Sequence, residues 1–235
     1  MTKFIFSCEH GGYEIPELYQ SFFSGQKEVL QSHRGWDKGS LEIAKYISRR
    51  ADSKLISNTL SRLLIECNRT LQHEELFSEF SKKMSEEIRE QLIKEYYLPY
   101  RNSLERKIEQ HLHQQNKVIH LSFHSFTPVL NGEVRKTEIG ILFDPDNKPE
   151  QKFAEAWKAS IEEKMDTWRV KFNYPYKGTD DGLTTYFRGK YKENYAGLEL
   201  EVNTKLMDIY PMHQISNWVF PPISYHKGHK DYKKA

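Results

Sequence analysis

Short apolar runs with a two-residue period alternate along this chain with longer stretches whose apolar residues recur at helical spacing. That alternation constrains the fold more than any other feature. Residues 118–123 (VIHLSF) put Ile119, Leu121 and Phe123 on one side and Val118, His120 and Ser122 on the other. Residues 198–202 (LELEV) set Leu198, Leu200 and Val202 opposite Glu199 and Glu201. Residues 3–8 (KFIFSC), 54–59 (KLISNT), 62–67 (RLLIEC), 138–143 (EIGILF) and 170–174 read as further strands. Helical spacing marks residues 37–50, with Ile43, Ala44 and Ile47 on one face and Asp37 at the N-terminus, and residues 150–165, with Phe153, Trp157 and Ile161. Residues 74–115 read as a charged, mostly helical insertion broken near Pro99, and a short helix is expected around 184–187. The pattern predicts one α/β layered domain over 1–235, built on a mixed, mostly parallel sheet, with a mobile basic tail over 227–235.

Composition removes several classes. A chain of 235 residues can bury a sizeable core, and its 13% aromatic content compensates for a modest 37% of hydrophobic residues. No apolar run approaches the ~20 residues of a membrane span, and the apolar patch before Glu9 is too short for a secretory signal. Two cysteines, Cys8 and Cys67, build no disulfide framework, which makes a reducing cytoplasm the expected location. With 35 basic and 33 acidic residues, nothing calls for a nucleic-acid partner. A membrane protein, a secreted disulfide scaffold and a repeat array are therefore not expected.

In open α/β sheets, ligands bind beyond the carboxyl ends of the strands. His10 and Gly11-Gly12 follow the first predicted strand, Asn68 and Arg69 follow 62–67, His124 and Ser125 follow 118–123, and Glu201 lies near the end of 198–202. Each has a plainer reading: turn chemistry for His10, a helix cap for Asp37, a core histidine for His124, a surface ion pair for Arg69, solvent exposure for one of Glu199 and Glu201. Together they make a set. A catalytic zinc typically takes three protein ligands and leaves a fourth position for water, and His10, Asp37 and His124 supply two imidazoles and a carboxylate. Glu201 suits a base that takes the proton of the metal-bound water. Arg69 offers a planar fork for a carboxylate, and Asn68 adds a donor. Gly11-Gly12 lets backbone pass close to an ion or substrate. Such a set suits hydrolysis of an amide in a substrate that carries a carboxylate.

The segments SCEHGGYEIP, HRGWDKG, LIECNRT, HSFTPVLNGEVRKTEIGILFDP, NYPYKG and GLELEVN, in this order over residues 5–207, resemble the N-formylglutamate amidohydrolase family. That family is similar in fold to zinc carboxypeptidases, aspartoacylases and zinc N-acetylmuramoyl-alanine amidases. The resemblance implies a three-layer α/β/α domain with one zinc per chain at the carboxyl edge of the sheet. The order of ligands in the muramoyl amidases matches His10, Asp37, His124 and Glu201. Carboxypeptidase-like sites often place the acidic ligand three residues after the first His; here that position is Tyr13, and Glu14 and Glu9 compete with Asp37. Asn68-Arg69 looks like the pair that holds the substrate carboxylate in carboxypeptidases and aspartoacylases. Arg135 is a further candidate for polarising the scissile carbonyl or holding a second carboxylate.

The function expected is zinc-dependent hydrolysis of an N-formyl-type N-acyl amino acid, with Glu201 and Arg135 catalytic. The rival readings are an aspartoacylase-like deacylase, a muramoyl-peptide amidase, and a metal-free module that binds an anionic ligand. Of the remaining histidines, His33 either orients a ligand or is exposed, His120 lies roughly 13 Å from His124 along an extended strand and is too far to share an ion, and His226 and His229 sit in the basic tail. The aromatic residues of 174–195 form either a lid or a packed cover.

Overall fold

The computed structural model describes residues 1–223. The tail reading, with His226 and His229, lies outside the described residues. In chain order the elements are β1 (Thr2–Cys8), α1 (Lys27–Gln31), α2 (Ser40–Arg50), β2 (Leu55–Ser57), α3 (Glu86–Leu92), α4 (Leu98–His113), β3 (Lys117–Phe126), β4 (Val129–Leu130), β5 (Glu133–Val134), β6 (Ile139–Leu142), α5 (Lys148–Lys164), β7 (Val170–Phe172), α6 (Leu183–Tyr191), β8 (Tyr195–Asn203) and α7 (Met212–Trp218). The main sheet has the order β2-β1-β3-β8-β6-β7, and β4 and β5 form a separate hairpin. Every neighbouring pair in the main sheet is parallel except β6 against β8.

The alternation in the strands sorts side chains into two cores. Phe6, Leu121, Phe123, Leu198, Leu200 and Val202 face α2, α5 and α7, where Ile43, Ile47, Trp157 and Ile215 meet them. Ile5, Val118 and Tyr195 face the other way, toward Tyr100, Leu104 and Ile108 of α4 and Leu183 and Phe187 of α6. The result is a three-layer α/β/α architecture on a mixed, mostly parallel sheet. Among the described residues no helix is long and apolar enough to cross a membrane.

Three expectations are corrected. Residues 62–67 form no strand. Leu64 and Ile65 are fully buried and Leu63 and Cys67 nearly so, but in a run of turns on the second core. The run's backbone is tied locally and to other loops: Leu64 N donates to Ser61 O, Arg62 N to Gly35 O, and Glu66 N to Leu76 O. A short buried apolar run looks the same in either state, and here hydroxyl groups take the place of a ladder. The Ser81 hydroxyl lies 2.6 Å from Leu63 O and 2.7 Å from Leu64 O. Second, Asp37 does not cap α2. The residue ahead of that helix is Gly39, with φ 79° and no side-chain cap. Third, regular helix begins only at Glu86, where Ser85 accepts from Ile88 N. Near Pro99 the helix does not break. Pro99 lacks an N–H, and a π-helical turn over Ile93–Tyr97 joins α3 to α4 just before it.

Candidate active site

The carboxyl ends of β1, β3 and β8 carry their polar side chains on the face covered by α4 and α6. There Ser7 is in register with Ser122 and His124 with Glu201. His10 leaves β1 two residues past its end, and Asp37 N donates to His10 O at 2.9 Å, which joins the turn before α2 to this rim. His124 lies inside β3 rather than after it, because that strand runs on to Phe126. Asp37 Oδ2 is 2.8 Å from His124 Nδ1 and 3.3 Å from His10 Nδ1. One ligand atom from each of His10, Asp37 and His124 lies within 4.8 Å of the others, and all three residues are buried.

The other nitrogen of each ring meets a carboxylate. His10 Nε2 is 2.5 Å from Glu66 Oε1, and His124 Nε2 is 3.1 Å from Glu9 Oε2 and 2.9 Å from Ser122 Oγ. Glu9 is fully buried, and it also accepts from the Ser122 hydroxyl and, at 2.8 Å, from Tyr100 OH. A histidine that binds a metal usually donates its second N–H to such an acceptor, which fixes its tautomer. Two imidazole Nδ1 atoms and one carboxylate oxygen converging in a buried spot are therefore a donor set that fits a divalent cation. A positive charge is already drawn there: the Arg62 guanidinium touches His10 Nδ1 and donates to Asp37 Oδ1 at 2.7 Å.

Charge sets the protonation states. Burial opposes ionisation of Asp37, but Arg62 and His10 outweigh it and hold the carboxyl well below its usual range. Glu66 is likewise brought down to about 2 against its burial by His10 and Arg62. Glu9 falls far below its ordinary value because His124 and Ser122 overcome desolvation. Burial disfavours a charged His124, yet Asp37 and Glu9 raise it well above normal. Glu201 moves the other way. Burial pushes it up to about 8; the charge of His124 opposes this, while Asp37 and Glu199 add to it. Glu201 Oε2 is buried without a hydrogen-bond partner.

The rim opens into a cleft of about 170 Å³ that Asn68, Arg69, Arg135, Tyr176 and Glu201 also line. Asn68 and Arg69 reach it from a turn, not a strand end. Asn68 Oδ1 accepts from Leu183 N at 2.8 Å, and Arg69 Nη1 donates to Asp181 O. Arg135, at the return of the β4–β5 hairpin, lies over Phe126 at 5.9 Å and Tyr176 at 5.7 Å. Glu14 is exposed and accepts from Thr59 Oγ1 at 2.7 Å, outside the ligand cluster, and Glu9 stands behind His124, so Asp37 is the carboxylate of the cluster.

The two glycines after His10 face the neighbouring loop instead of the cleft. A Cβ on Gly12 would lie 2.4 Å from Thr59 O, and one on Gly11 3.0 Å from Asn58 O. His120 is a core histidine, bonded to Ser7 Oγ and Tyr195 OH at 2.7 and 2.6 Å. His33 is exposed and lines the cleft. Of the 174–195 aromatics, Phe187 and Tyr195 pack as core with Tyr191 beside them, and Tyr176 faces the cleft. Cys8 and Cys67 are buried free thiols, and burial pushes Cys8 up to about 12. Sequence reasoning missed Arg62 and Glu66, because the run that holds them reads as the interior of a strand. Their one signal is a pair of charged residues four apart inside an otherwise apolar stretch.

A family model described as FGase, N-formylglutamate amidohydrolase, matches residues 2–207. The gene product Atu2144 from Agrobacterium tumefaciens has a similar structure, with a TM-score of 0.78 and 25% identity over 92% of this chain and 87% of that one. An N-formylglutamate amidohydrolase from Ralstonia eutropha JMP134 shares the fold, with a TM-score of 0.68 and 16% identity over 92% of this chain and 89% of its own. No match is found among curated proteins.

Proposed function

Since the chain belongs to the N-formylglutamate amidohydrolase family, and is thereby an amidohydrolase acting on C–N bonds other than peptide bonds, we propose that its cleft hydrolyses N-formylglutamate or a close N-acyl amino acid with one zinc ion held by His10, Asp37 and His124. The observation that carries this reading is the convergence of those three ligand atoms within 4.8 Å beside a buried carboxylate, Glu201, that has no partner. When bound, zinc supplies a Lewis acid and lowers the pKa of water to roughly 7.

This chain's own residues do the rest. Glu66 and Glu9 hold the two imidazoles from behind. Arg62, which touches His10 Nδ1 and whose side chain is 26% exposed, would have to withdraw from that nitrogen for an ion to be held there. Glu201 takes a proton from the attacking water and returns it to the leaving amine, a role that suits a carboxyl raised toward neutrality. Arg69 and Asn68 anchor a substrate carboxylate. Arg135, held between two aromatic rings, faces the oxygen on which charge develops.

The test pairs metal analysis with a screen of N-formyl, N-acetyl and N-succinyl amino acids. The expected result is about one zinc per chain, hydrolysis led by N-formyl-L-glutamate, and loss of both on chelation. A chain that hydrolyses these substrates at an undiminished rate after complete removal of zinc would overturn the proposal.

A further inference from the structure

Glu66 touches both halves of the cleft. Its Oε1 is 2.5 Å from His10 Nε2 and accepts from Asn68 N at 3.0 Å. Its Oε2 is 3.6 Å from Arg62 Nε, and its backbone carbonyl accepts from Arg69 N at 3.3 Å. One buried carboxylate therefore orients a metal-site imidazole, faces the guanidinium that competes for that site, and closes the turn that carries Asn68 and Arg69. Glu9, the corresponding carboxylate behind His124, differs: its side chain contacts Tyr100, Ser122 and His124, none of them on the Asn68–Arg69 turn.

We infer that Glu66 is a positioning residue through which metal affinity and substrate affinity are linked: it fixes His10 as the Nε2–H tautomer, aims Nδ1 at the ion, and sets the Asn68–Arg69 turn at the distance a bound carboxylate requires. The inference rests on the reading of His10 as a ligand and of Asn68-Arg69 as the anchor. The physical basis is that a carboxylate behind a ligating histidine is worth roughly 10–100-fold in metal affinity, while a shift of the anchoring turn changes substrate binding at any metal occupancy.

The experiment measures zinc affinity by chelator competition and, separately, KM for N-formyl-L-glutamate at saturating zinc, in three variants. Glu9→Gln should weaken zinc and leave KM in place. Asn68→Ala should raise KM and leave zinc affinity in place. Glu66→Gln should do both, with zinc weakened by about 10-fold or more. A Glu66→Gln protein with the zinc affinity of the parent, or with weakened zinc and an unchanged KM, overturns the inference. If Glu66→Gln does not fold, the ring ¹⁵N shifts of His10 in the zinc-loaded parent decide. A proton on Nε2 with the metal on Nδ1 supports the inference, and the reverse overturns it. His10→Ala separates the two levels: if that variant binds zinc like the parent, it is the ligand assignment that fails, and the Glu66 link falls with it for that reason.

Discussion

Glu199 and Glu201 stand two residues apart on the same face of β8 and are treated differently by their neighbours. Glu199 accepts from Thr184 Oγ1 at 2.7 Å, while Glu201 keeps one oxygen buried and unbonded. A carboxylate left without donors is poorly solvated, which is why its pKa is pushed up to about 8, and a base is useful when it can both take and return a proton near neutral pH. Glu201→Gln should therefore keep zinc and lose about 10²–10⁴ in kcat, read by metal analysis alongside turnover. The sign of the pH effect follows. The base acts only when ionised, so kcat/KM falls as pH drops through its pKa. A cation beside it stabilises the ionised form, so in the zinc enzyme this acid limb should lie below about 8 and above the ordinary 4.5. The limb should vanish in Glu201→Gln; its persistence would assign it to another group. At this scale much was legible. His10, His124 and Glu201 end or closely follow patterned strands, so strand polarity alone puts them on one rim. Asp37 was legible as an acidic residue at the start of a helix, though its carboxylate turns to the ligand cluster rather than capping that helix. Arg62 and Glu66 were not, since a residue's partners across a loop leave no periodic trace.

The run 62–67 shows what decides between strand and coil. Its apolar residues bury as a strand's would, and the difference lies in where its carbonyls find donors. Leu63 O accepts from the Ser78 hydroxyl, which leaves the single proton of the Ser81 hydroxyl, 2.7 Å from Leu64 O, for that second carbonyl. Ser81→Ala should leave Leu64 O buried and unpaired and cost about 1–3 kcal/mol of unfolding free energy. Because this coil delivers Arg62, Glu66, Asn68 and Arg69 to the cleft, KM should rise in the same variant. A Ser81→Ala protein with unchanged denaturation midpoint would show that the hydroxyl is not what holds the run. On the opposite core, Trp157 is fully buried and donates Nε1–H to Val219 O at 2.8 Å, tying α5 to the end of α7. Trp157→Ala should cost about 3–5 kcal/mol by denaturant titration without altering zinc stoichiometry, since its layer lies across the sheet from the ligands. Helical spacing made Trp157 legible as core. The coil could not be read the same way, because hydroxyl-to-carbonyl bonds between residues 15 to 18 apart follow no period.

For the whole molecule, the rim gathers more buried charge than a stable fold needs, and the proposed cation would offset the excess. In the zinc-free protein, Glu66, lowered to about 2, contributes stability that is present above its ordinary 4.5 and is lost as pH falls toward 2. Glu201, raised to about 8, acts oppositely. Its contribution is complete below 4.5 and is lost as pH rises through 8, where the fold must carry an ionised, unpartnered carboxylate. The zinc-free chain should thus lose stability on both sides, and the alkaline loss is the one zinc can reverse. Metal affinity rises with pH because ligands bind in their deprotonated forms, and the ionised Glu201 then faces a positive ion. Zinc at 100 times its Kd adds about 2.7 kcal/mol, which for a chain of this size corresponds to a rise in Tm of roughly 5–10 °C. Scanning calorimetry with and without zinc should show that rise at pH 8.5, a smaller one at pH 6, and none at either pH in a His10→Ala, His124→Ala double variant. A zinc-induced rise that is equal at the two pH values, or that survives in the double variant, would mean that the ion binds elsewhere and that Glu201 does not sense it.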